Sequence, residues 1–342
     1  MQQTMKAVLL QEYGNLASLV VSDVPVPQPQ PGQVLIRMES APINPSDLAF
    51  LQGHYGVRKA LPAVPGFEGS GTVVANGGGI LGWNLMGSRV ACVAGPDQNG
   101  TWAEFMITSA KTCIKLPTNI SFDLGACYFV NPLSCAMFID IIKREKHEAV
   151  VQTAAASSLG KMLIRWCGDL HIPVINVVRR EEQVRALREM GCAHVLNSSA
   201  PQFREELSRL CIDLNATVAF DAVGGEMTGI VMQALCENSV VYVYGALANE
   251  PCSGVHPGHL IFHAKRVEGL WLTEWIKTKG LFSMWGLTGK VMGLLPTVLK
   301  TDISQIFSLK NITQALDYYT QNMSQGKVIL RLSGGSVPEP AE

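Results

Sequence analysis

Apolar residues fall into two regimes along the chain. Up to about residue 115 they come as short β-type runs broken by Gly and Pro, such as Ala7-Val8-Leu9-Leu10, Val34-Leu35-Ile36-Arg37-Met38 behind Pro31-Gly32, and Gly71-Thr72-Val73-Val74-Ala75. Turn formers between such runs predict an all-β, barrel-like unit. Over residues 121–142 the turn formers thin out and the apolar positions wind around a helix. From about residue 148 strands and helices alternate. The strands are Ala149-Val150-Val151-Gln152, Val174-Ile175-Asn176-Val177-Val178, His194-Val195-Leu196, Thr217-Val218-Ala219-Phe220 and Val240-Val241-Tyr242-Val243-Tyr244, with helices from Gly160 to Leu170 and from Glu181 to Met190. That alternation predicts right-handed crossovers and a parallel sheet. Lys327-Val328-Ile329-Leu330-Arg331-Leu332 reads as a last strand returning to the first domain, and Val337-Pro338-Glu339-Pro340 as a frayed tail.

A chain of 342 residues is about two domains long. With 47% hydrophobic and 16% charged residues it has material for a buried core, which excludes a disordered chain. Lys and Arg number 27 against 28 acids, so no basic excess exists to bind nucleic acid through its backbone. No window of 18 uncharged apolar residues occurs, so no membrane-spanning helix is expected. The start, Met1 to Lys6, has neither a secretory segment nor an Arg- and Ser-rich transit peptide, which points to the cytoplasm. A removed leader would leave the mitochondrial matrix open. The nine cysteines are scattered without a C-x-x-C pair, as reduced structural thiols are.

Candidate chemistry begins at Ala154-Ala155-Ala156-Ser157-Ser158-Leu159-Gly160, between the strand ending at Gln152 and the helix that follows. A dinucleotide-binding turn lets a pyrophosphate approach backbone N–H groups at a helix N-terminus. The usual G-x-G-x-x-G supplies the room, and here Gly160 alone survives, so a plain crossover turn is the alternative. Arg179-Arg180 stand 19 residues beyond Gly160, where an NAD-specific fold places an acid on the ribose. Guanidinium groups there suit a 2′-phosphate and favour NADPH, the alternative being a solvated Arg pair.

With these features the chain resembles the medium-chain dehydrogenase/reductase superfamily over about residues 5–332. It is most similar to the zinc-independent branch of quinone oxidoreductases and mitochondrial-type trans-2-enoyl thioester reductases. The matching segments are Asn44-Pro45-Ser46-Asp47, Gln52-Gly53-His54-Tyr55-Gly56, Leu61 to Gly69, Asn131-Pro132, Ile175 to Arg179, Leu260-Ile261-Phe262 and Gly269-Leu270-Trp271-Leu272. The resemblance implies a GroES-like β-rich catalytic domain, residues 1–125 completed by 305–342, and a doubly wound Rossmann domain for NADPH over 126–304. It implies a homodimer as well. Zinc-dependent members hold their catalytic metal with a Cys near Asn44 and a His near Phe67. Neither position can ligate zinc here, and the four-cysteine structural lobe is missing.

The same resemblance gives the site. Tyr55 would bind a thioester carbonyl or donate the proton, and Asn44 would hold nicotinamide or substrate, unless Tyr55 is a surface-loop residue and Asn44 a turn former. Cofactor contacts would come from Asn131, Ser134, the turn residues Ala156, Ser157, Ser158, Leu159 and Gly160, Arg179 and Arg180. Tyr244, Gly245, Ala246, Leu247, Trp271 and Lys327 would add to them. Trp271 is otherwise a core aromatic and Lys327 an exposed one among many lysines. The run from Trp271 to Trp285 suits either an acyl pocket or a dimer edge. The expected reaction is metal-free, NADPH-dependent reduction of a 2-enoyl thioester. A quinone or enone oxidoreductase and a catalytically silent cofactor-binding homologue are the alternatives.

Overall fold

A computed structural model describes residues 4–333, apart from the side chains of residues 281 and 282, so the Val337–Pro340 tail lies outside the described residues. The chain divides into two units, one running to Val130 and resuming at Lys300, the other covering Asn131–Leu299. In the first unit β1 (Thr4–Leu10) and β2 (Leu19–Pro25) pair as an antiparallel ribbon. There follow β3 (Gln33–Pro42), α1 (Pro45–Leu51), β4 (Glu68–Asn76), α2 (Ile80–Leu85), β5 (Arg89–Val93), β6 (Phe105–Ser109), β7 (Cys113–Lys115) and α3 (Phe122–Ala126).

The second unit is built from α4 (Val130–Glu145), β8 (Ala149–Gln152), α5 (Ser158–Asp169), β9 (Val174–Val178), α6 (Glu181–Glu189), β10 (His194–Asn197) and α7 (Phe203–Asp213). It continues with β11 (Ala216–Asp221), α8 (Glu226–Ala234), β12 (Val240–Val243), α9 (Pro257–Phe262), β13 (Arg266–Gly269), α10 (Leu272–Lys277) and α11 (Leu281–Leu294). The first unit is then completed by β14 (Ile303–Ser308), α12 (Ile312–Asn322) and β15 (Lys327–Arg331).

Strand β3 organises the first unit. It pairs antiparallel with β15, β4 and β6, so the sheet runs β14-β15-β3-β4-β5-β7 with β6 alongside β3. Its burial explains why: Val34, Ile36, Met38 and Ala41 all enter one core with Val8, Leu10, Phe50, Trp102 and Leu330. The returning strand expected at Lys327 is β15, paired with β3 across nearly the whole chain.

The second unit carries six parallel strands in the order β10-β9-β8-β11-β12-β13. Numbered within the unit this is 3-2-1-4-5-6, the doubly wound order whose reversal point lies beside β8, where such folds bind ligands. Every residue of β8 is buried, as expected of a strand covered by helices on both faces. Helix α5 lays Leu159, Met162, Leu163, Trp166 and Cys167 on its buried side, the three-and-four spacing of a helix packed on a sheet.

One expectation needs correction. Residues 121–142 form two helices, α3 and α4, with a break at Cys127–Phe129. Pro132 lacks an N–H and is accommodated only in the first turn of a helix, so α4 starts anew at Val130.

Candidate active site

The candidate residues are distributed over both units. In the second, the chain leaves β8 through Thr153 and turns at Ala154, whose φ of +50° lies in the left-handed region. A residue with a Cβ pays about 1–2 kcal/mol there, so Ala154 occupies the position that a tight-turn glycine would fill. Ala155 N–H donates to Val177 O at 3.1 Å, fastening the turn to β9. The methyls of Ala155 and Ala156 are buried with Val178, Val184, Leu187 and Val195, so they occupy the core. Ser157 caps α5, its Oγ accepting from Gly160 N at 3.1 Å, and Ser158 and Leu159 open the helix.

Gly160 is where no side chain fits. A Cβ there would stand 2.3 Å from Ala155 O and 2.7 Å from Ala155 C, which is backbone and cannot rotate aside. That is the helix-to-turn approach assigned to the third glycine of dinucleotide folds. Replacing Ala154 by glycine is expected to stabilise the protein by about 1 kcal/mol by relieving the left-handed strain. A urea midpoint that rises in the Ala154→Gly variant checks this, and a fall refutes it.

Arg179 and Arg180 follow β9, both exposed. Arg180 Nε sits 2.8 Å from Glu182 Oε1, a surface pair worth little. Among the described residues no hydrogen bond or ion pair engages the Arg179 guanidinium, while its main chain is fixed: N–H donates to Gln183 Oε1 at 3.2 Å and O accepts from Ser199 Oγ at 3.0 Å. No acid stands at this strand end. Glu181 and Glu182 begin α6, where acids suit the helix dipole.

Beyond the switch point, Asp221 is a residue that sequence reasoning missed. Its carboxylate accepts from Thr153 Oγ1 at 2.8 Å, Val223 N at 2.9 Å and Thr228 Oγ1 at 2.7 Å, joining the ends of β8 and β11. The loop after β12 is pinned to the same place: Tyr244 N donates to Asp221 O, and Leu247 N to Ala222 O. A Cβ on Gly245 would lie 2.7 Å from Ala222 O, so this close approach also excludes a side chain. Ala246 and Leu247 are exposed. The Tyr244 ring packs at 4.9 Å on Phe138, and burial pushes its hydroxyl well above the usual tyrosine range. Asn131 and Ser134 lie in the first turns of α4, nearly buried. Trp271 precedes α10 and is 37% exposed, so it is no core aromatic. A cavity of about 290 Å³ is walled by Asp140, Lys279 and Lys290 as well as Trp275 and Leu287, which is charged lining unlike an acyl channel.

The first unit brings Asn44, Asp47, Glu68 and Lys327 together in one buried cluster. Asn44 stands just before α1; its Nδ2 donates to Glu68 Oε1 at 2.9 Å and its Oδ1 accepts from Lys327 Nζ. Lys327 also reaches Ile43 O and is 3% exposed, so it is not a surface lysine. Glu68 Oε2 accepts from Phe129 N and Val130 N, both at 2.9 Å. Burial raises the Glu68 carboxyl above the usual range against the pull of Lys327 and these bonds. Asp47 Oδ2 accepts from Asn44 N at 2.8 Å and Oδ1 from Phe67 N at 3.1 Å. Asn44 and Lys327 are thus engaged with their own unit. Tyr55 is half-buried on the segment after α1, its ring 4.7 Å from that of Phe67. His54 beside it is exposed.

Two family models match the chain: the alcohol dehydrogenase GroES-like domain over residues 30–118 and the zinc-binding dehydrogenase over residues 158–285. A Caenorhabditis elegans mitochondrial enoyl-[acyl-carrier-protein] reductase is 32% identical over 256 residues, 72% of this chain and 71% of the relative. The Homo sapiens mitochondrial enoyl-[acyl-carrier-protein] reductase is 29% identical over 279 residues, 80% and 74% of the two chains. A Mesorhizobium loti crystal structure assigned as an NADPH:quinone reductase superposes with a TM-score of 0.90 at 32% identity, covering 97% of this chain and 99% of that one. Among the described residues no three His, Cys, Asp or Glu side chains are grouped to hold a metal. By its matched domains and its relatives, the chain belongs to the medium-chain dehydrogenase/reductase superfamily, in the branch that holds the enoyl reductases and the quinone oxidoreductases.

Proposed function

We propose that the chain is an NADPH-dependent reductase of activated C=C bonds, with 2-enoyl thioesters as its substrates and no metal in its reaction. The observation that carries the cofactor choice is the exposed Arg179 guanidinium at the end of β9, with Arg180 beside it and no acid in their place. The turn suits a pyrophosphate: the methyls of Ala155 and Ala156 are buried, Gly160 keeps the helix close, and the N–H groups at the start of α5 lie at a positive dipole end. Asn131, Ser134, Tyr244 to Leu247 and Trp271 complete the proposed cofactor contacts.

Bound NADPH supplies a hydride, which would go to C3 of the enoyl thioester. The chain's task is then to stabilise the negative charge arriving on the thioester oxygen and to deliver a proton to C2. Tyr55 carries both roles in this reading, since its hydroxyl can donate a hydrogen bond to that oxygen or give up its proton. Asn44 and Lys327 act behind it, holding α1 and β15 together from within the unit.

The quinone oxidoreductase reading shares the hydride step and is favoured by the Mesorhizobium loti relative. Steady-state NADPH consumption with crotonyl-CoA, a longer 2-enoyl-CoA and 1,2-naphthoquinone separates the two. The thioester is expected to give the higher kcat/KM, and turnover of quinone alone overturns the preference. In the same assay Arg179→Gln should lower kcat/KM for NADPH by about ten- to hundred-fold, the worth of a hydrogen bond to a charged group, and leave the slower NADH rate unchanged. Equal loss with both cofactors would remove Arg179 from 2′-phosphate recognition.

A homodimer belongs to this proposal. Strand β13 is the last in its sheet order, and nearby α9 exposes Ile261 at 69% and Phe262 at 78%. An open edge beside bare apolar residues is what a second copy would cover. Light scattering should return twice the chain mass, and the mass of one chain would contradict it. Either the cytoplasm or the mitochondrial matrix suits the activity, and no described helix is long and apolar enough to cross a membrane.

A further inference from the structure

Asp47 is wholly buried, yet nothing about the reaction itself uses it. It lies at the third position of α1, a short helix whose chain leads directly into Gln52, Gly53, His54 and Tyr55. Its two carboxylate oxygens have different partners: Oδ2 takes the N–H of Asn44 at the helix start, and Oδ1 takes the N–H of Phe67 just before β4. Phe67 is the residue whose ring supports Tyr55, at 4.7 Å and an angle of 42°, and it also packs edge-on against Phe50 of α1 at 5.7 Å. One carboxylate therefore spans the two segments that set where the Tyr55 ring lies.

We propose that Asp47 is a positioning residue for Tyr55, holding Phe67 and the start of α1 in the one relation that presents the tyrosine hydroxyl to substrate. This rests on the reading of Tyr55 as the proton donor.

The bridge depends on both oxygens accepting. A protonated carboxyl carries a hydrogen on one oxygen and leaves one of the two N–H groups poorly matched. Burial pushes Asp47 up to about 7. The groups facing it are Lys327 on β15 and the backbone N–H groups of Asn44 and Phe67, which favour the anion, and Glu68 on β4, which opposes it. Lys59, on the segment between Tyr55 and β4, and Tyr319 on α12 also sense its charge. About nine-tenths of the carboxyls are ionised at pH 8 and half are protonated near pH 7, so kcat should carry a limb that falls as the pH drops through that value.

The test is the pH profile of kcat, from pH 6 to 9, for the wild type, Asp47→Asn and Tyr55→Phe, together with the amide proton shift of Phe67 followed by NMR over the same range. The wild type is expected to lose activity below about pH 7 while the Phe67 amide shifts in step. Asn offers one acceptor oxygen, so Asp47→Asn should lower kcat at pH 8 by about ten- to hundred-fold, the cost of misplacing a reacting group. It should leave the KM for NADPH unchanged and abolish the limb. A merely structural aspartate would lower the melting temperature without removing the limb. If Tyr55→Phe is slow but Asp47→Asn keeps the wild-type limb, the reading of Tyr55 stands and the positioning role is overturned. If Tyr55→Phe is as fast as the wild type, both fall. Should Asp47→Asn not fold, the wild-type Phe67 amide decides: a shift tracking kcat supports the bridge, and a constant shift overturns it.

Discussion

Replacing Tyr55 by phenylalanine is expected to cut kcat for a 2-enoyl thioester by about 10²–10⁴-fold, the usual contribution of a positioned acid. The substitution removes one oxygen and keeps the ring that packs on Phe67, so the segment after α1 retains its support. NADPH affinity should not change, because the cofactor contacts proposed above lie on other residues. Steady-state turnover read beside tryptophan quenching by NADPH separates the two effects. A variant that binds NADPH and turns over slowly is the predicted result. Wild-type turnover would remove Tyr55 from the chemistry.

The second large effect is on stability. Glu68→Ala leaves buried Lys327 without one of the two carboxylates that Asn44 joins to it, and strips two backbone N–H groups, Phe129 and Val130, of their acceptor. Breaking a buried charge arrangement from one side costs about 3–5 kcal/mol. That is a large part of the whole stability of an ordinary domain. Pairing the change with Lys327→Met should recover part of the loss, since the second substitution removes the stranded charge. A double-mutant cycle in urea measures the coupling. Additive losses would mean that Glu68 and Lys327 are held independently.

These two predictions differ in how visible their residues are along the chain. Tyr55 is identified through the resemblance of Gln52 to Gly56 to a family motif, whereas Gly160 is legible from the strand, turn and helix around it. The parallel sheet was equally legible, because each buried strand such as β8 is a continuous apolar run followed by a helix of opposite pattern. The buried cluster was not. Asn44 meets Lys327 across 283 positions, and neither residue carries any local sign of that meeting. Lysine is ordinarily a surface residue, so only the pairing of β3 with β15 puts Lys327 inside. Asp221 is hidden for the same reason, its threonine partner Thr153 standing 68 positions away. Asp47 was half legible: an acid three residues after Asn44 is a helix-start pattern, but its bond to Phe67 depends on the fold. The break between α3 and α4 could have been read from Pro132, which begins a helix more readily than it continues one.

The account's central claim is that hydride passes from NADPH to the carbon skeleton of a thioester. The most direct test is to run the reaction with NADPH deuterated at the transferable position of C4 and a 2-enoyl-CoA, then locate the label by mass spectrometry and NMR. One deuterium at C3 of the saturated acyl-CoA, with the C2 hydrogen coming from solvent, is the predicted result. An unreduced thioester, in a preparation that still oxidises the same NADPH with a quinone, would contradict it.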